Sequence, residues 1–251
     1  MRPGLLEGRV ALITGAARGI GRAIALEAAA EGADVLVTDR DADGVNATAA
    51  DIAALGRKSR AVVGSLSGAE FPAALAAAAQ ETFGKLDVLV NNAGIAYRGS
   101  VAEHERAAWD KVMLINLTAP FLLVQATLPL LEASGRGSIV NISSTAVTGF
   151  AGQVAYDSSK GGLLSMTRSM AVDLGSKKIR VNAVCPGFIA TDMVAASPDF
   201  TKLGERVARG LPVSRMGTPE DVASAVVWLA SDKASYVSGQ GMFVDGGWIR
   251  A

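Results

Sequence analysis

The chain has 251 residues, half of them hydrophobic, with 24 basic and 24 acidic side chains and a net charge of zero. That balance gives no electrostatic basis for nucleic acid or an anionic membrane as a partner. A single cysteine and a single histidine exclude an intrachain disulfide and a His/Cys zinc cluster, and suit a reducing compartment. The opening residues lack the apolar core of a signal peptide, so the expectation is a cytoplasmic protein. No Pro/Gly/Ser-rich linker or charge run interrupts residues 1–251, which reads as one domain.

In chain order, short apolar runs alternate with alanine-rich helical patterns. Strands are predicted at 9–14, 34–38, 59–64, 87–90, 138–143, 179–184 and 241–244, and helices at 20–31, 43–55, 69–83, 101–131, 153–174 and 219–231. Most of the strands are continuous apolar runs rather than alternating ones, the pattern of strands covered on both faces in a parallel sheet. The fold class is therefore α/β, a Rossmann-type doubly wound sheet of about seven parallel strands with helices on both faces and ligands at the carboxyl strand ends.

The first strand runs into Thr14-Gly15-Ala16-Ala17-Arg18-Gly19-Ile20-Gly21. Gly15, Gly19 and Gly21 suit a tight turn, a close approach to phosphate and close helix–strand packing, so the turn before the first helix predicts a dinucleotide site. Asp39 ends the second strand, where a carboxylate accepts both ribose hydroxyls and repels a 2′-phosphate. Arg18 and Arg40 pull the other way, toward phosphate. The balance favours NAD over NADP. Asn91-Asn92-Ala93-Gly94 follows the fourth strand, where amides beside a glycine can bond backbone across strand ends. The apolar stretch 112–131 reaches the roughly 20 residues of a membrane span, yet carries Asn116, Thr118, Pro120, Gln125, Thr127 and Pro129. It reads as a buried or interface helix. Further on, Tyr156 and Lys160 stand four apart, one helical turn, with phenol and ammonium on one face.

In these motifs the chain resembles the short-chain dehydrogenase/reductase family, in its single-domain NAD(P) branch. The motifs are Thr14–Gly21, Asn91–Gly94, Asn116, Asn141-Ile142-Ser143-Ser144, Tyr156 with Lys160, Pro186-Gly187, Thr191 and Val244-Asp245-Gly246-Gly247. The resemblance implies a tetrad of Asn116, a serine, Tyr156 and Lys160. Counting back from Tyr156 selects Ser143, whereas the second position of the Ser-Ser pair selects Ser144. A loop deletion is easier to absorb than a change of strand register, so Ser144 is the choice. Ile20, Ala93, Pro186, Gly187, Ile189 and Thr191 join the glycines, Arg18, Asp39, Asn91, Gly94, Tyr156 and Lys160 as expected cofactor contacts. Residues 190–212 read as a substrate lid, and Ala96, Tyr97, Ala146, Phe150, Gln153, Met193 and Val194 as pocket candidates.

Ser65 stands where the family often has an aspartate, and Asp157 where small residues are usual. Asp157 reads as a carboxylate near a helix start, or as a polar contact to a hydroxylated substrate. His104 reads as a solvated surface group, and Trp109, Trp228 and Trp248 as core or interface anchors. The implied activity is NAD-dependent interconversion of a secondary alcohol, a sugar or polyol being one candidate, and a ketone. An NADPH-dependent 3-oxoacyl thioester reductase and a non-catalytic nucleotide sensor are the alternatives. The apolar helices at 101–131 and 153–174 carry Phe121, Leu122, Leu123, Val124, Leu163, Leu164 and Met166, more than one buried face needs. They predict a homotetramer, with Trp228, Phe243 and Trp248 near its second interface, and no nucleic-acid or membrane partner.

Overall fold

Strand β1 (Val10–Thr14) is buried at all five residues, so it needs a strand on each edge and a helix on each face. A computed structural model, which describes residues 3–195 and 198–249, supplies them. The strands β2 (Asp34–Asp39), β3 (Ser59–Val63), β4 (Val88–Asn91), β5 (Ser138–Ile142), β6 (Arg180–Pro186) and β7 (Gly241–Val244) join β1 in one sheet. Its order is β3-β2-β1-β4-β5-β6-β7, and every pairing is parallel.

The helices are α1 (Gly19–Ala30), α2 (Ala42–Ala54), α3 (Phe71–Phe83), α4 (Arg106–Met113), α5 (Ala119–Ala133), α6 (Val154–Gly175), α7 (Asp192–Ala195), α8 (Pro198–Ala208) and α9 (Pro219–Ala230). On one face Ala25, Ala28 and Ala29 of α1 share a core with Val222, Ala223 and Val226 of α9. On the other, Leu75 of α3, Leu123 of α5 and Leu174 of α6 pack over Leu12, Leu89 and Val181 of the sheet. Alanine at the contact lets a helix sit close to its neighbours, which is what the alanine-rich segments contribute.

Two boundaries differ from the sequence reading for a physical reason. The helix expected from residue 101 begins at Arg106, because the chain first makes a turn closed by the Ser100 hydroxyl on Glu103 (2.8 Å). Strand β6 continues two residues past Val184, because Cys185 and Pro186 pair with Phe243 and Val244 of β7. Between α4 and α5 the helix widens into one π turn, Leu114–Thr118, which carries the buried Asn116.

The segment 106–133 is long and apolar enough to cross a membrane by length and composition. Here it packs against α3 and α6. Of the apolar residues that exceed one buried face, Leu123, Val124, Leu163 and Leu164 are buried in the chain's own core. Phe121 remains exposed, and Leu122 and Met166 are half-buried.

Candidate active site

The sheet order reverses direction between β1 and β4, and a crevice opens there beyond the carboxyl ends of the strands. It is a cleft of about 690 Å³ that collects most of the residues singled out above. Gly15 holds φ at +67°, and a Cβ there would lie 2.8 Å from the Cα of Ala93. A Cβ on Gly21 would lie 2.1 Å from the Gly15 carbonyl oxygen, so the turn exists only with glycine at both places.

Asn92 locks this turn to β4. Its Nδ2 donates to the Thr14 and Gly15 carbonyls (2.9 and 3.0 Å), while Thr14 Oγ1 accepts from the Asn92 and Ala93 amides (3.0 Å each). Of the Asn91 and Asn92 side-chain amides, the sequence points to Asn91 as the cofactor contact. The structure turns the Asn91 side chain toward β5, where its Nδ2 donates to Asn141 Oδ1 (2.8 Å), and puts Asn92 on the cleft wall. The signal was available, because side chains alternate along a strand and the last strand residue could face only one way.

Arg18, Gly19, Ile20, Ala93, Gly94, Ser65 and Arg40 line the same end of the cleft. Asp39 lines it too, its carboxylate accepting from the Ala17 amide of the turn and from the Asp41 amide (3.1 Å each). Arg18 lies 3.7 Å from Asp192 at the start of α7, an exposed pair that contributes little in water. Pro186, Gly187, Ile189 and Thr191 continue the wall on the β6 side, with Thr191 opposite Gly19.

Tyr156 and Lys160 occupy the first two turns of α6, Tyr156 half-buried on the cleft wall and Lys160 buried, with Lys160 Nζ 5.7 Å from the phenol ring centre. Lys160 Nζ donates to the Ile142 carbonyl at the end of β5 (2.7 Å). Burial lowers the ammonium to a pKa of about 8. Burial also pushes the Tyr156 phenol up, against a lowering by its hydrogen bond with Ser144, and the Asp157 charge adds to the rise.

Ser144 begins a 3-10 turn, Thr145–Thr148, where its Oγ accepts from the Ala146 amide (3.1 Å) and keeps its own proton for the phenol side. Ser143 points elsewhere. Its Oγ donates to the Lys160 carbonyl (2.9 Å) inside the core. The Asn116 amide is engaged by its surroundings: Oδ1 accepts from Ile95 N (2.9 Å), and Nδ2 donates to Ile95 O (2.9 Å) and Ser159 Oγ (3.0 Å). Asn116 Oδ1 and Lys160 Nζ each lie 3.4 Å from where a Cβ on Gly94 would stand, so the three residues meet at one point.

Of the pocket candidates, Ala96, Ala146, Phe150, Gln153 and Val194 line the cleft. The side chain of Met193 lies outside the described residues. Tyr97 does not line the cleft; its ring packs edge-on to His104 at 5.0 Å. His104 is accordingly not a solvated group: it sits between Tyr97 and Trp109, and both ring nitrogens are shielded from solvent. Trp228 packs against the α1–α9 core. Trp248, expected at an interface, lines the cleft beside Phe188. Asp157 is not in the cleft. Its Oδ2 accepts from the Phe150 amide (2.6 Å), the bond that ties the loop before α6 to the helix. Among the described residues no cluster of His, Cys, Asp and Glu could hold a metal ion.

Known proteins with this arrangement are numerous. A family model described as enoyl-(acyl carrier protein) reductase matches residues 15–249. The 3-oxoacyl-[acyl-carrier-protein] reductase FabG of Thermotoga maritima is 38% identical over 245 residues, 97% of this chain and 99% of its own. The L-rhamnose 1-dehydrogenase (NAD(P)(+)) of Azotobacter vinelandii is 41% identical over 249 residues, 97% of each chain. The crystal structure of a short-chain type dehydrogenase/reductase from Mycobacterium marinum superposes with a TM-score of 0.92 at 31% identity, covering 98% of this chain and 97% of that one.

The lowered Lys160 pKa has a consequence for stability. Its folded value lies below its unfolded one, so between about pH 8 and 10.5 the unfolded chain binds the extra proton and stability rises with pH. Below that window the full penalty of the buried charge applies, about 3 kcal/mol. Lys160→Met should remove the rise. The wild-type minus variant difference in urea unfolding free energy should grow by about 2 kcal/mol between about pH 7.5 and 9.5. A difference that stays flat across those pH values would mean that the ammonium is not desolvated.

Proposed function

Because the chain belongs to the short-chain dehydrogenase/reductase family, an NAD(P)-linked group of oxidoreductases acting on CH–OH or keto groups, we propose that it is an NAD-dependent enzyme interconverting a secondary alcohol and a ketone. The observation that carries this is the pairing of the half-buried Tyr156 phenol with the Ser144 hydroxyl, one helical turn from Lys160 and on the wall of the cleft.

The residues present fit the cofactor: the glycine turn leaves a cradle that a Cβ would fill, and Asp39 stands at the ribose end. Gly15, Arg18, Gly19, Ile20 and Gly21 would hold the pyrophosphate side, Asp39 the adenosine ribose, Asn92, Ala93 and Gly94 the middle, and Pro186, Gly187, Ile189 and Thr191 the nicotinamide. When bound, the cofactor accepts or supplies a hydride at its nicotinamide ring. In the oxidative direction the Tyr156 oxygen takes the proton of the substrate hydroxyl, and in the reductive direction it returns it. Ser144 donates a hydrogen bond to the substrate oxygen and so stabilises charge that develops there. Lys160 brings a positive charge to the phenol, and Asn116 holds the Ile95 backbone in the loop after β4. Residues 190–212, with α7 and α8, close over the substrate.

Cofactor choice rests on Asp39. Asp39→Ala should lower kcat/KM for NAD about tenfold or more and raise that for NADP by a similar factor, since one repulsive contact is worth on the order of a decade. Higher efficiency with NADP in the unmodified enzyme would overturn the choice and favour the thioester-reductase reading.

For catalysis, Tyr156→Phe should abolish turnover while NADH binding, followed by fluorescence, stays within about twofold, because the phenol acts only at the reacting oxygen. Ser144→Ala should lower kcat by roughly a hundredfold and Ser143→Ala by much less. The reverse ranking would assign the role to Ser143.

The same proposal includes a homotetramer. Phe121 is exposed on α5, Leu122 and Met166 are half-buried, and Phe243 lies half-buried on the edge strand β7, so apolar surface remains on both sides that a partner would cover. Light scattering should give four times the 25.6 kDa chain mass. A fully active monomer would overturn the assembly.

A further inference from the structure

Beyond Ser144 and Tyr156, the cleft is walled by three aromatic rings from three distant segments. Phe188 and Trp248 stack at 5.2 Å between ring centres, with 23° between their planes. Phe150 stands edge-on to both, 5.5 Å from Trp248 and 6.4 Å from Phe188. Phe188 is nearly buried at 6% exposure, while Phe150 and Trp248 are half-buried and line the cleft. Rings meant only for a core would be covered on all sides.

Each ring is held from behind. Asp157 Oδ2 accepts from the Phe150 amide (2.6 Å) and ties the 149–153 loop to the helix that carries Tyr156. Asp245 accepts from the amides of Gly247 (2.9 Å), Trp248 (3.3 Å) and Ile249 (2.8 Å), which fixes the turn that delivers Trp248. Gly204 of α8 approaches Phe188 so closely that a Cβ there would lie 3.1 Å from the ring. A wall of preset rings needs no ordering when a ligand arrives, which is what makes it a recognition surface.

A polyol needs a hydrogen-bond partner for each hydroxyl that it buries. Ala96 and Ala146 accompany the rings in the cleft wall, and Thr145, Gln153, Arg98 and Lys111 are its polar members there, so a hydroxylated ketone is the competing ligand in the test. Asp157 does not line this cleft.

We propose that the part of the substrate distal to the reacting carbon is an apolar ring, aryl or alicyclic, seated against Phe150, Phe188 and Trp248. This rests on the alcohol–ketone reading for the reacting end. The test compares reduction of acetophenone and cyclohexyl methyl ketone with that of butan-2-one and of dihydroxyacetone, a hydroxylated ketone, in the unmodified enzyme and in Trp248→Ala, Trp248→Leu and Phe150→Ala. Ring ketones should exceed butan-2-one in kcat/KM by about tenfold or more, and dihydroxyacetone by more still. In the alanine variants that ratio should collapse to near unity through KM rather than kcat, with Trp248→Leu intermediate because it keeps part of the apolar area. Better turnover of dihydroxyacetone than of any ring ketone, or loss with an unchanged ratio, would overturn the ring site.

Calorimetry on Tyr156→Phe with NADH separates the two layers. Acetophenone that binds there, and is lost on adding Trp248→Ala, supports the ring site even if the unmodified enzyme turns over no alcohol or ketone. That second result would sink the alcohol–ketone reading alone. Failure of acetophenone to bind would overturn the ring site.

Discussion

Neighbouring parallel strands cannot be joined through a hairpin; each strand has to be followed by a crossover, here built on helices, before the next. Every pairing in this sheet is parallel, so every carboxyl end points the same way. The glycine turn, Asp39, the Asn92 amide, Ser144 and Pro186 come from different strands, yet all emerge on one edge. The crevice between β1 and β4 is where crossovers to left and right diverge, and the cleft has no other place to be.

That edge is also where the fold tolerates electrostatic cost. Lys160 is almost wholly removed from water and has one backbone carbonyl, Ile142 O, as its hydrogen-bond partner. A lysine in that position opposes folding, and its pKa of about 8 is the measure of it. The Tyr156 phenol is displaced the opposite way by the same burial. Both shifts have one cause, burial that disfavours the charged forms, so they oppose a tyrosinate base, and the proposed role requires the lysine charge to offset that burial. Strongly displaced groups in a cleft mark a candidate functional site.

Carboxylates do the quieter positioning. Asp39 braces the glycine turn through the Ala17 amide, Asp157 braces Phe150, and Asp245 braces Trp248. In each case a charged acceptor satisfies backbone donors that a loop would otherwise leave to water, and charge-assisted hydrogen bonds are among the stronger ones available. Asp157 carries this at a price: its other oxygen is buried without a partner, and burial raises its pKa. The π turn at Asn116 belongs to the same group, since the widened backbone brings an amide to the two polar groups of Ile95.

Much of this was legible from the residues in order. Apolar runs without alternation specify a covered parallel strand, Gly15 and Gly21 specify a turn that no other residue can make, and a four-residue spacing puts Tyr156 and Lys160 on one helix face. Each of these depends on local geometry, which a stretch of sequence carries with it. What was not legible depends on direction and on distant partners. Whether Asn91 or Asn92 faced the cleft, whether His104 met water or two aromatic rings, and whether Trp248 covered a neighbouring subunit or lined the chain's own cleft all turn on where a side chain goes after its backbone is laid down. Asp157 and Trp248 changed meaning because the loop at 149–153 and the turn at 245–249 fold back over the site. Local pattern specifies the sheet, the glycine turn and the Tyr–Lys pair; the walls around them depend on tertiary packing, because contacts between segments far apart in the chain have no signature in either segment alone.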